Sequence, residues 1–253
     1  MRTVATDAGR FAIGERDEVF RQAVTLAARA WDGNKGAPFF WALSGGSTPV
    51  EWYRWCVATG AINSALLGAT EWFTSDERHV PLSSSESNFG TADRLLLGPL
   101  HVARARKHPW PVDLPAQASA VAFEEHFRAL RGGDTAFDIC FLGLGADGHT
   151  ASLFPGITLV GRDDAMFFAA MEIPGKGWRL TITPRGLQAC GAVVVMALGE
   201  GKREALARVL ADDGSTLETP ARVLREINDK VTWLVDPQAC AGVHELNPMQ
   251  ELE

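Results

Sequence analysis

Cysteine is scarce and scattered: Cys56, Cys140, Cys190 and Cys240 stand fifty or more residues apart, and no C-x-x-C pair occurs. That spacing excludes zinc-ribbon and thioredoxin-type motifs and argues against a disulfide framework; it predicts buried free thiols in a reducing cytoplasm. No Lys/Arg-rich stripe is present and the net charge is −7, which argues against nucleic acid or an anionic membrane as partner. The longest strongly apolar stretch, AVVVMAL (192–198), is far too short to cross a bilayer, and MRTVATDAGRF at the N-terminus has no apolar core of signal-peptide length. No G-K-[ST] follows a glycine loop, so a nucleoside triphosphate is not expected. Nor does any H-E-x-x-H, H-x-x-x-H or Cys/His cluster have metal-ligand spacing, so no required metal is expected.

A chain of 253 residues with 46% apolar residues suits one large domain with a sizeable core, and neither a repeat nor a linker-like tract divides it. Residues 1–253 therefore read as a single domain, with 236–253 as a peripheral tail. Apolar runs predict strands at 38–43, 70–75, 137–144, 165–171, 178–183, 192–198 and 231–235. Helical spacing predicts helices at 15–32 (ending at Gly33), from Pro49 onward, and at 87–97, 120–131, 201–211 and 219–228. Alternating strands and helices imply an α/β fold of the doubly wound type, a mostly parallel sheet with helices on both faces. Ligands in such sheets bind beyond the carboxyl ends of the strands, and the segments SGGST, SDERH and GADGH fall at predicted strand ends.

"FLGLGADGHTASLFPG" (141–156) contains G-x-G-x-x-G at Gly143, Gly145 and Gly148, with Asp163, Asp164 and Glu172 at about the distance a dinucleotide fingerprint requires. Only HTASLF separates Gly148 from Pro155-Gly156, too short for the helix that fingerprint needs, so no dinucleotide cofactor is expected. His149 is the sharper feature. An imidazole near its ordinary pKa can take a proton from water, and a glycine-rich strand end gives it room beside a substrate. Asp147 either orients that ring or stabilises the turn.

In "ALSGGSTPV" (42–50), Gly45, Gly46, Ser47 and Thr48 precede a helix with Pro49 in its first turn, a setting that favours a phosphate. Pro49 stands where a nucleophile elbow needs its last glycine, which disfavours Ser47 as a nucleophile. In "TSDERHVP" (74–81), Arg78 either meets a phosphate or substrate oxygen through its planar fork, or pairs with Asp76 or Glu77 on the surface. Arg179 on a strand and Lys202 in the first turn of a helix supply further cations. A lysine opposes the helix dipole there unless an anion is nearby.

Taken together, LSGGSTP (43–49), SDER (75–78) with SN (87–88), GLGADGHTASLFP (143–155), RLTIT (179–183) and G-x-x-K (199–202) resemble the 6-phosphogluconolactonase family. The resemblance implies the glucosamine-6-phosphate isomerase/ribose-5-phosphate isomerase type of fold. It implies hydrolysis of 6-phospho-D-glucono-1,5-lactone to 6-phosphogluconate, the second step of the oxidative pentose phosphate pathway, with no cofactor and no obligatory protein partner. His149 would be the general base on water, with Asp147, Arg78 and Asp76 beside it. Gly45, Gly46, Ser47, Thr48, Arg179 and Lys202 would hold the phosphate. Arg78 fits either an oxyanion or a phosphate role, and Asp76 fits a contact with sugar hydroxyls. The related glucosamine-6-phosphate deaminases carry D-E-Y where this chain has Asp76-Glu77-Arg78, and an A-F-N-E-P-like run where it reads TASLFP. A sugar-phosphate sensor without catalysis is the third reading.

Overall fold

The computed structural model describes residues 1–32, 36–161 and 166–246, without the side chains of 160 and 161. Gly33, Asp163, Asp164, Ala165 and the tail from 247 lie outside the described residues. The chain opens with a hairpin, β1 (Arg2–Thr6) and β2 (Gly9–Ile13), then α1 (Arg16–Asp32), β3 (Phe39–Leu43), α2 (Ser47–Thr59), α3 (Ser64–Ala69) and β4 (Thr70–Thr74). After the short β5 (Asp76–Arg78) come α4 (Asn88–Ala92), α5 (Ala116–Arg131), β6 (Ile139–Gly143), β7 (Phe168–Ile173) and β8 (Gly177–Ile182). The remainder is α6 (Pro184–Gln188), β9 (Ala192–Ala197), α7 (Arg203–Leu210), β10 (Val231–Val235) and α8 (Pro237–Cys240).

Seven strands form the main sheet in the order β1-β2-β10-β9-β6-β3-β4. Every pairing from β2 to β4 is parallel; β1 alone runs antiparallel, at the edge. The central strands are apolar at almost every position because both faces are covered. Alternation then sorts them into two cores. Phe40, Ala42, Cys140, Leu142, Val193 and Val195 pack with Phe123 and Phe127 of α5 and Leu206 of α7. Phe39, Trp41, Leu43, Phe141, Val194 and Met196 pack with Phe20 of α1 and Trp52 of α2. Trp41 sits at the centre of the second core, stacked on Trp72 at 5.0 Å and edge-on to Phe141 at 5.1 Å.

Four segments differ from the sequence reading. Stretches 165–171 and 178–183, expected in the parallel sheet, become β7 and β8, an antiparallel hairpin that pairs with β5 in a separate three-stranded sheet. Three residues, Pro174 to Lys176, join them, whereas a parallel crossover needs a dozen or more. Helical spacing at 219–228 resolves as a 3₁₀ helix, Pro220–Lys230, kinked at Ile227. The segment from Asp236, expected to be peripheral, packs Ala239, Cys240, Val243 and Leu246 into the first core as far as it is described. Small residues hid that face: only Val243 and Leu246 are large and apolar. All four cysteines are free and buried. Among the described residues no helix is long and apolar enough to cross a membrane.

Candidate active site

The ends of β3, β6 and β9 and the small strand β5 surround one cavity of about 270 Å³. Glycine dictates the β3 corner. A Cβ on Gly45 would lie 1.9 Å from Oδ1 of Asn88, and Gly46 adopts a left-handed φ of 107° as it caps α2. No side chain caps that helix, so the N–H groups of Ser47 and Thr48 are presented to the cavity's edge, where the helix dipole favours an anion. The buried Tyr53 hydroxyl donates to the Ser44 carbonyl at 2.5 Å, tying the corner down from inside α2; burial pushes that phenol far above its usual range.

Beyond β4 the chain turns into the small sheet through two buried acids with different tasks. Glu77 accepts from the backbone N–H groups of Arg78, Asn88 and Phe89 and from the Ser87 hydroxyl, at 2.6–2.9 Å. It thereby shapes the loop and the start of α4. Burial raises its pKa, and those four hydrogen bonds offset only part of the rise. Asp76 faces the cavity instead. Its Oδ1 accepts from Asn88 Nδ2 at 3.2 Å and its Oδ2 from Ser152 Oγ at 2.7 Å. Burial raises its pKa, against the Ser152 bond and the charges of Arg78, His149 and Arg179. Arg78 forms neither of the surface ion pairs weighed above: its guanidinium donates to the Glu86 carbonyl.

The turn after β6 is organised around His149. Gly145 N–H donates to the His149 carbonyl and Gly148 N–H to the Gly145 carbonyl, and the Arg208 side chain donates to the Ala146 carbonyl at 2.7 Å. A Cβ on Gly145 would lie 2.0 Å from His149 Nδ1, so that glycine makes room for the ring itself. Gly148 turns at φ 88°, against Thr219. Asp147 Oδ1 lies 2.5 Å from His149 Nδ1 and also accepts from the His149 N–H at 3.1 Å. Partial burial pushes the Asp147 carboxyl up; its hydrogen bonds with His149 outweigh that and hold it below the usual range. Phe154 packs against the imidazole with ring centroids 4.4 Å apart. An ionised Asp147 selects the tautomer with the proton on Nδ1, leaving a lone pair on Nε2. Among the described residues Nε2 has no hydrogen-bond partner.

After β9, Gly199 turns at φ 89° and its N–H is gripped by both carboxylate oxygens of Asp236, each at 3.0 Å. This sets the 3₁₀ turn that ends at Lys202, one residue before α7 rather than within its first turn. Burial lowers the Lys202 pKa and the Asp147 charge partly restores it.

Gly45, Gly46, Ser47, Thr48, Asp76, Arg78, His149 and Lys202 therefore line one cavity. Asp147 stands behind His149. Arg179 does not line the cavity. It lies directly opposite Arg78 in the small sheet, and its guanidinium donates to the Lys176 and Trp178 carbonyls. Sequence reasoning assigned no role to Asn88, Ser152, Tyr53 or Asp236. Asn88 was legible only as part of S-N, and the partners of the others are 9 to 76 residues away in the chain. Among the described residues no group of three or more His, Cys, Asp or Glu side chains could hold a metal ion.

Residues 15–233 match the family described as glucosamine-6-phosphate isomerases/6-phosphogluconolactonase. The 6-phosphogluconolactonase of Rattus norvegicus is 33% identical over 217 residues, 84% of this chain and 83% of that protein. That of a Synechocystis species is 32% identical over 203 residues, covering 78% and 82%. Among solved structures, 6-phosphogluconolactonase from Trypanosoma cruzi superposes with a TM-score of 0.78 at 27% identity, over 92% of this chain and 96% of that one. The enzyme from Leishmania guyanensis gives 0.79 at 27%, over 92% and 98%.

Proposed function

Because the chain belongs to the glucosamine-6-phosphate isomerase/6-phosphogluconolactonase family, we infer that it hydrolyses 6-phospho-D-glucono-1,5-lactone to 6-phospho-D-gluconate, in the second step of the oxidative pentose phosphate pathway. The observation that carries the chemistry is the His149 ring, bound to Asp147 on one nitrogen and open on the other, at the wall of a cavity that cations share.

His149 Nε2 takes a proton from water as the water oxygen attacks the lactone carbonyl. Asp147 holds the tautomer and stabilises the imidazolium that forms, the role an orienting acid plays beside any such base. When the bond from C1 to the ring oxygen breaks, the imidazolium returns the proton to that oxygen. Charge building on the carbonyl oxygen needs a positioned donor. The N–H groups of Gly145, Gly148 and His149 are engaged within their own turn, which favours Arg78 on the cavity wall. Asp76, held by Asn88 and Ser152, meets sugar hydroxyls. The phosphate is taken by the uncapped start of α2 at Gly45 to Thr48, by Lys202 and by Arg179. The chain acts as one domain, and its four free thiols fit a reducing compartment such as the cytoplasm.

Freshly generated lactone tests the reading. Wild type accelerates ring opening above the spontaneous rate, and His149→Ala loses roughly 10²–10⁴-fold in kcat, the usual worth of a general base, while still binding 6-phosphogluconate. A wild type no faster than background overturns the lactonase reading; ammonia release from glucosamine 6-phosphate is then the assay to run.

A further inference from the structure

The turn between β7 and β8 carries one lysine, and its position has no counterpart in the roles assigned so far. Lys176 sits between Gly175 and Gly177, which adopt left-handed φ values of 71° and 73°. Its Nζ lies 5.2 Å from the centroid of Phe154, whose ring packs on His149. Its carbonyl receives the Arg179 guanidinium at 2.5 Å. The tip of the hairpin thus reaches Phe154, the neighbour of His149, through its side chain, and is tied to Arg179 of its own strand β8 through its backbone.

The charge around it is unbalanced. Arg78 and Arg179 stand opposite one another in β5 and β8. Burial lowers the Arg179 pKa, as does the charge of Arg78, against smaller opposing contributions from Asp76, Glu86 and Glu77. Among the described residues no carboxylate lies within ion-pairing distance of Lys176, and its ammonium rests on an aromatic face, a weak attraction at an exposed site. Neighbouring cations that form no ion pair among the described residues favour a doubly charged ligand that neutralises them. Both neighbouring φ angles are ones that glycine adopts freely, so the two glycines shape the turn that presents Lys176.

We propose that Lys176 is a specificity-determining residue that binds the phosphate of the substrate, its ammonium leaving Phe154 for the phosphate oxygens held by Arg179. The proposal rests on the hydrolytic reading above for its substrate. Lys176 takes no part in moving protons: Phe154 separates it from the imidazole, so the contribution falls on binding.

The test compares wild type, Lys176→Ala and Lys176→Arg. Each is assayed with 6-phosphogluconolactone and with unphosphorylated glucono-1,5-lactone, and each is titrated with 6-phosphogluconate by calorimetry. The proposal expects Lys176→Ala to raise KM for the phosphorylated lactone and Kd for the phosphorylated product by about tenfold, the scale of one charged hydrogen bond. It expects kcat to stay within about twofold and Lys176→Arg to recover most of the loss. Hydrolysis of the unphosphorylated lactone is unchanged. Two results overturn it: unaltered KM and Kd in Lys176→Ala, or equal losses on both lactones, which would make the residue a prop for Phe154 and His149. If wild type hydrolyses neither lactone, the hydrolytic reading falls, and the 6-phosphogluconate titration still decides whether Lys176 holds the phosphate.

Discussion

His149 differs from its fellow histidines in what each ring nitrogen meets. His108 has both nitrogens engaged, with His126 at 3.0 Å and Glu71 at 2.7 Å, and its ring stacks on Phe73. His126 has one nitrogen committed to that chain, and burial followed by the His108 charge lowers its pKa. His79 meets the Leu114 carbonyl. Of these four, His149 is the one where a carboxylate fixes one nitrogen while the ring lines a cavity built for a ligand. Asp76 offers a different single-residue test. Its folded-state pKa is raised, chiefly by burial, so the native state keeps this proton to higher pH than the unfolded chain does. The stability it contributes is complete below the ordinary carboxylate pKa of about 3.9 and is lost as pH rises through the raised value. Asp76→Asn cannot ionise, and asparagine can still bond to Ser152. We expect it to melt above wild type at neutral pH, by about 2–4 °C for each kcal/mol relieved, with the gap closing toward acid pH and with lactone hydrolysis reduced. Thermal melts between pH 4 and 8 measure this, and a variant that melts below wild type at pH 7 contradicts it.

At the scale of elements, the turn from Gly145 to His149 shows how backbone shape precedes chemistry. The glycines that spell a dinucleotide fingerprint serve different ends here: Gly145 vacates the volume of an imidazole, and Gly148 turns the chain beside Thr219. Gly145→Ala puts a methyl group 2.0 Å from where Nδ1 stands. The ring must move by about an ångström, and such misplacement costs on the order of 10²-fold in rate. The variant should lose kcat on that scale while its far-ultraviolet circular dichroism and its affinity for 6-phosphogluconate stay near wild type; full activity would show that the turn relaxes without moving the ring. The central parallel strands were legible because burial on both faces demands unbroken apolar runs, as in FFWAL and AVVVMA. The small sheet was not, since an apolar run says nothing about which strands it will join. Nor was the N-terminal hairpin: β1 is an edge strand of mixed polarity, with no apolar run to mark it.

Over the whole molecule, the last described segment belongs to the core. Cys240, Val243 and Leu246 are buried within the cluster that also holds Trp233 and α7, and Asp236 both caps α8 and grips Gly199 ahead of Lys202. Removing residues 237–253 should therefore cost roughly 1.5–3 kcal/mol for each large apolar side chain exposed, and weaken phosphate binding as the Lys202 turn loosens. Urea denaturation with and without the segment measures the first effect and calorimetry with 6-phosphogluconate the second. A truncated chain as stable as the full one would return residues 237–253 to the status of an appendage.

Local chemistry was readable along the chain wherever cause and effect lie within a few residues of each other. Glycines at a strand end ahead of a helix with proline in its first turn, an Asp two residues before a His and apolar strands buried on both faces all fall in that class, and from them came the α/β architecture and the family resemblance. Assembly needed the folded molecule. Asp76 meets Ser152 across 76 positions, Gly199 meets Asp236 across 37, and Arg179 finds itself beside Arg78 because two strands chose each other. Such pairings follow from the burial of the whole apolar surface at once, a sum over distant residues that no short stretch of sequence encodes.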